Sequence, residues 1–133
     1  MATSEAVTRG VRVHVASRYV PEHSDPDQGG WLFAYTVKIA NDGEETVQLL
    51  TRHWIITDAN GKVEEVEGPG VIGAQPVLEP GQSFEYTSAC PLRTAFGTMH
   101  GSYGMVVQDG TSADETFDAE IAAFSLSTPY AVN

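Results

Sequence analysis

Residues 68–88 read Gly-Pro-Gly-Val-Ile-Gly-Ala-Gln-Pro-Val-Leu-Glu-Pro-Gly-Gln-Ser-Phe-Glu-Tyr-Thr-Ser, and the residues after the glycines decide the fold. Gly68, Gly70 and Gly73 have the G-x-G-x-x-G spacing, which in a dinucleotide-binding unit opens a helix whose N-terminus holds a pyrophosphate. That chemistry requires the helix, because the phosphate rests on unsatisfied N–H groups reinforced by the helix dipole. Pro76 and Pro80 forbid a helix interior here. Thr87, Ser88 and Ala89 stand where the ribose-binding acid belongs, about 20 residues beyond the first glycine. The stretch is therefore read as a tight crossover between strands. Beyond it, Phe84, Tyr86, Ser88 and Cys90 alternate with Ser83, Glu85 and Thr87, so the chain leaves the crossover as a strand.

Upstream, residues 46–57 form a strand that is apolar on both faces in places, which belongs in the middle of a sheet. Asp58-Ala-Asn-Gly61 closes a hairpin, with Asn60-Gly61 suited to a type I′ turn. Lys62 to Glu67 return as a short, charged strand of the kind that protects a sheet edge. Earlier still, Trp31, Phe33, Tyr35, Val37 and Ile39 alternate with smaller or polar residues and must face the core. Val11, Val13, Val15 and Tyr19 mark another half-buried strand, and residues 21–30 a polar, mobile loop.

Downstream, Met99, Tyr103, Met105 and Val107 share a face, with Gly101 and Gly104 thinning the strand where something packs closely. Asp109-Gly110 turns the chain. Phe117, Ala119 and Ile121 are out of phase with Phe124 and Leu126, and a one-residue bulge near Ala122 and Ala123 restores register. No amphipathic helical stretch is found. About seven strands in one domain, residues 1–133 with a flexible tail at 1–9, predict an all-β protein. Its architecture is an antiparallel β-sandwich of fibronectin type III or immunoglobulin-like form. Leu78-Glu-Pro-Gly-Gln-Ser-Phe-Glu-Tyr86 is similar to the Leu-x-Pro-Gly…Tyr passage of fibronectin type III domains, with Phe84 and Tyr86 both eligible for the corner position.

Seven Lys and Arg against 18 Asp and Glu give a net charge of −11. A basic stripe for nucleic acid is missing, and so is a polybasic patch for anionic lipid. Cys90 is alone, so no disulfide within the chain is available, and a buried small hydrophobe is the expected role. No leader-like segment and no apolar run of spanning length occur, which makes a cytoplasmic protein without membrane insertion the expectation.

Several stretches together resemble the bacterial ApaG family. They are Phe33-Ala-Tyr-Thr-Val37, Val47-Gln-Leu-Leu50 with Arg52, Trp54 and Ile56-Thr57, and Glu65-Val-Glu-Gly-Pro-Gly-Val-Ile-Gly-Ala-Gln-Pro76. The run continues through Leu78, Pro80-Gly81, Tyr86-Thr-Ser88, Gly97-Thr-Met99, Gly101 and Tyr103. One departure is Thr94-Ala95-Phe96-Gly97, where the family usually carries Thr-Pro before the glycine. The resemblance implies a fibronectin-like sandwich in the cytoplasm, linked to cobalt tolerance and magnesium efflux. It also implies a gene beside a diadenosine-tetraphosphate hydrolase and relatives that act as protein-binding modules within F-box and polymerase-delta-interacting proteins. It carries no catalytic residue and no cofactor, and it suggests Gly68, Gly70 and Gly73 as a pyrophosphate site.

The chemistry-bearing residues are few. His14, His23, His53 and His100 form no close pair at ligand spacing, so no metal site is expected, and His53 reads as a satisfied core or interface histidine. Glu22, Asp25 and Asp27 in one loop, and Asp109, Asp114 and Glu115 in another, lack the spacing of a calcium loop. No Gly-x-Ser-x-Gly elbow is present. The expected protein is a non-enzymatic module that binds another protein, with a homodimer also open. The alternative is small-anion binding at Gly68, Gly70 and Gly73, where loop N–H groups can hold an anion without a helix. Arg52, Trp54 and Arg93 are the candidate flanking surface.

Overall fold

The computed structural model describes residues 2–108 and 115–129, so the Asp109-Gly110 turn and the acids Asp109 and Asp114 lie outside the described residues. Among the described residues nine strands follow one another: β1 (Ala2–Thr8), β2 (Val11–Tyr19), β3 (Trp31–Asn41), β4 (Val47–Asp58), β5 (Val63–Pro69), β6 (Val77–Leu78), β7 (Ser83–Leu92), β8 (Phe96–Val107) and β9 (Glu115–Ser127). One sheet has the order β1-β2-β3-β7; the other has β5-β4-β8-β9, with β6 also pairing with β4. All the pairings are antiparallel. Val13, Phe33, Ile39, Leu49, Tyr103 and Met105 lie fully buried between the sheets. The all-β sandwich is the fold that the alternation predicts.

The additional strands are β1 and β6. Residues 1–9 were expected as a flexible tail, yet Ala2 pairs with Ser17 and the register runs to Thr8 and Val11. Arg9 and Gly10, at φ 50 and 82, form the two-residue turn between them. The inward residues of β1 are Ala2, Ser4, Ala6 and Thr8, too small or polar to show as hydrophobic alternation. They nonetheless pack against β9, and the Thr8 hydroxyl accepts the Glu120 N–H at 3.0 Å.

Two bulges set which residues face inward. In β4, Leu49 pairs with Met105 and Thr51 with Gly104, leaving Leu50 as the extra residue. Val47 and Leu49 are buried before it, Trp54 and Ile56 after it. The apolar character of both faces is thus a change of phase within a central strand. In β9, Ala122 and Ala123 together oppose His100, as the register shift in that strand predicts.

The turn at Asp58–Gly61 differs from expectation. Gly61 has φ 82, but Asn60 is not left-handed, so the turn is not type I′. The Asp58 carboxylate accepts the N–H groups of Asn60 and Lys62 at 2.9 and 3.0 Å, which stabilises a three-residue loop ending on a left-handed glycine. The strand it leads into, β5, is an exposed, charged edge as predicted. Residues 21–30, expected to be a mobile loop, carry two short 3-10 turns at Pro21–His23 and Pro26–Gln28. No described helix is long and apolar enough to cross a membrane.

Candidate functional site

The crossover from β5 to β7 is built around a miniature hairpin. Val71 is buried, and it exchanges two backbone hydrogen bonds of 2.8 Å with Ala74. Between them Ile72 and Gly73 have φ 41 and 80, both positive, which is the geometry of a type I′ turn. No α-helix begins at Gly70 or Gly73. Gly70 is required by geometry: its φ is 61, and a Cβ there would collide with the Ala74 carbonyl. Ile72 is a β-branched residue in the left-handed region, where its side chain is strained, and it is 65% exposed.

The hairpin is fastened to β4. The Leu50 carbonyl accepts the Gly70 N–H at 2.8 Å and the Gln75 side-chain amide at 2.9 Å, and the Leu49 N–H donates to Pro76 at 3.0 Å. Arg52 donates from Nη1 to the carbonyls of Pro69 and Gly70 at 2.9 and 3.0 Å. Its guanidinium lies over Gly68, where a Cβ would stand only 2.9 Å from it. Arg52 therefore braces the loop that it was expected to flank.

The rest of the expected flanking surface is dispersed. Trp54 is 3% exposed, not a surface residue. The bulge at Leu50 turns it inward, where it meets Tyr35 edge-on at 5.3 Å and Phe124 at 6.0 Å. Arg93 is exposed but stands at the opposite end of the sandwich. Its neighbour Thr94 accepts the Ala59 N–H at the hairpin preceding β5, whereas Gly68 lies near the end of β5.

Of the two aromatics at the fibronectin-like passage, Tyr86 enters the core and Phe84 stays at its margin. The Tyr86 hydroxyl is hydrogen-bonded to that of Tyr103 across the sandwich. Burial drives both phenols well above their ordinary range. Cys90 is buried, as predicted, and burial followed by the nearby Glu64 charge pushes its thiol up to about 11.

Pairing of strands creates one cluster that the chain order conceals. His53 lies opposite Glu67, and Glu65 is opposite Ile55, two residues further along. His53 Nε2 is 2.8 Å from Glu65 Oε1 and 3.4 Å from Glu67 Oε1, all on the outer face of β4 and β5. His53 is thus paired with carboxylates on the surface, and not a core residue. His14 pairs with Glu5 at 3.4 Å, while His23 and His100 are exposed. Among the described residues, Glu22, Asp25 and Asp27 do not converge, and Glu115 is paired with Arg9 at 2.9 Å.

Comparison with known proteins agrees with this frame. Residues 21–107 match the ApaG domain model. Protein ApaG of Beijerinckia indica is 53% identical over 93% of this chain and 92% of its own length. That of Xanthobacter autotrophicus is 56% identical over the same shares. A crystal structure from Bordetella pertussis, named as a putative ApaA protein, superposes with a TM-score of 0.84 at 50% identity, covering 91% of this chain and 95% of that one. The C-terminal domain of wzt, at 12% identity and a TM-score of 0.51 over 98% of this chain and 80% of its own, shares the fold alone. The sandwich, its Gly68–Pro76 crossover and these matches together place the chain in the ApaG domain family.

Proposed function

We propose that this chain is a non-enzymatic β-sandwich module that binds another protein through the crossover hairpin, acting in the cytoplasm and serving divalent-cation homeostasis indirectly. The observation that carries the reading is Ile72: a large apolar side chain, exposed, held at φ 41 on a braced turn. Strain of this kind costs about 1–3 kcal/mol and persists where the surroundings over-determine it, commonly at sites of function. Val77, 45% exposed, is a second exposed apolar residue on the same crossover. A rigid loop presenting apolar anchors loses little entropy when a partner seats on it.

The anion reading has less to draw on. The N–H groups of Gly70, Val71 and Ala74 already have carbonyl partners, and Arg52 is committed to the loop's own carbonyls.

The test separates binding from folding. Ile72→Asn puts a residue tolerant of positive φ at the turn, so the variant should be at least as stable as the parent while losing partners recovered quantitatively from cell lysate. Equal recovery of every partner by parent and variant would defeat the proposal. A pyrophosphate titration that shifted the Gly70 and Gly73 amides would favour the anion alternative instead.

A further inference from the structure

We infer that His53, Glu65 and Glu67 form a surface site for a borderline first-row divalent cation of the Zn²⁺ class. The two carboxylates address one nitrogen: His53 Nε2 is 2.8 Å from Glu65 Oε1 and 3.4 Å from Glu67 Oε1. The three ligand atoms lie within 4.8 Å of one another. A tetrahedral ion with bonds of about 2.0–2.1 Å needs its ligand atoms roughly 3.3 Å apart, so little movement separates this arrangement from a coordinating one. One imidazole and two carboxylates make a donor set that suits Zn²⁺ and its neighbours better than Mg²⁺, which prefers oxygen throughout and keeps its waters.

Charge and surroundings point the same way. Among the described residues, His53 is the one basic side chain within contact distance of the Glu65 and Glu67 carboxylates. A divalent ion beside two carboxylates and a neutral imidazole would leave the cluster uncharged. The site is set by sheet register and not by loop conformation: His53 and Glu67 are direct cross-strand partners, with Glu65 on the diagonal. His53 and Glu67 also open onto a shallow groove shared with Arg52, Ser102 and Asp118, in which the Arg52 guanidinium is turned to the carbonyls of Pro69 and Gly70. Water or an outside ligand could reach the remaining coordination positions from that groove. This inference does not depend on the Ile72 surface, which lies on the crossover beyond β5.

The experiment is calorimetric titration of the whole chain with ZnCl₂ and separately with MgCl₂, repeated on His53→Ala, Glu65→Gln and Glu67→Gln. His14→Ala serves as a control, because His14 pairs with Glu5 on the other sheet. Circular dichroism melts confirm that each variant is folded. The parent should bind one Zn²⁺ saturably, each site variant should bind at least about tenfold more weakly, His14→Ala should match the parent, and Mg²⁺ should be far weaker. Parent-like Zn²⁺ binding by His53→Ala, no saturable Zn²⁺ binding by the parent, or equal affinity for Mg²⁺ would each overturn the assignment.

Discussion

Tyr86 and Tyr103 meet hydroxyl to hydroxyl in the interior of the sandwich, one from each sheet, and tie β7 to β8 where both side chains are buried. Removing one hydroxyl leaves the other without its partner in an apolar setting. Tyr103→Phe should therefore cost about 1–3 kcal/mol. The double variant Tyr86→Phe/Tyr103→Phe should cost less than the sum of the single ones, since no orphaned group remains. Urea melts of the four proteins measure this coupling, and strict additivity would show that the pair is not energetically linked.

The glycines of the crossover should differ in how they tolerate a methyl group. Gly73 has φ 80 and open space around its absent side chain, so Gly73→Ala should cost only the left-handed backbone penalty of about 1–2 kcal/mol. Gly70 has φ 61 and abuts the Ala74 carbonyl, so Gly70→Ala adds an overpacking cost of about 1–3 kcal/mol. Equal destabilisation of the two variants would contradict the described turn.

Arg52 supplies the donors for two loop carbonyls. Arg52→Met keeps the stem but removes the guanidinium, leaving the Pro69 and Gly70 carbonyls short of a partner. The expected cost is about 1–3 kcal/mol, with faster hydrogen exchange at the Gly70 and Ala74 amides and little change in β2 or β3. Uniform acceleration across the molecule would mean that Arg52 supports global stability and not the loop.

Alkaline conditions should weaken the fold. Cys90 keeps its proton up to about 11 in the folded chain against an ordinary value of 9.0, because burial disfavours the thiolate. Between those values the unfolded chain binds fewer protons than the folded one, so stability falls as pH rises, by up to about 1.4 kcal/mol per pH unit. Tyr86 and Tyr103, both raised from 10.0, extend the decline above pH 10. Melting temperatures taken from about pH 8 to 11 should drop, and Cys90→Ala should flatten the earlier part of the curve. A parent with constant melting temperature across that range would contradict the assignment.

Most of the sandwich is legible in the sequence, because bulky residues at period two, as in Phe33, Tyr35, Val37 and Ile39, admit only one orientation. The bulge at Ala122–Ala123 is equally readable, since it is the smallest change that returns Phe124 and Leu126 to the inner face. β1 escapes because its inward side chains are small, and Gly10 between two polar-rich segments is the faint trace of its turn. Trp54 is misplaced for a related reason: a bulge at Leu50 reverses the facing of every later residue in β4, and Leu50 is as apolar as its neighbours.

The site is less readable than the fold. Pro76 and Pro80 correctly exclude a helix after the glycines, but no sequence feature announces that Ile72 would take a positive φ. The His53–Glu65–Glu67 cluster joins residues up to 14 positions apart, and their convergence depends on a hairpin register that spacing alone does not fix.

The Leu50 carbonyl is the shared anchor of Gly70 and Gln75, and Leu50 is also the supernumerary residue of β4. The direction in which the Ile72 tip points is therefore inherited from the length of a strand well upstream in the chain. Deleting one residue near Leu50 would straighten β4 and swing the hairpin to a new heading, so the aim of the tip can be altered without touching the crossover itself.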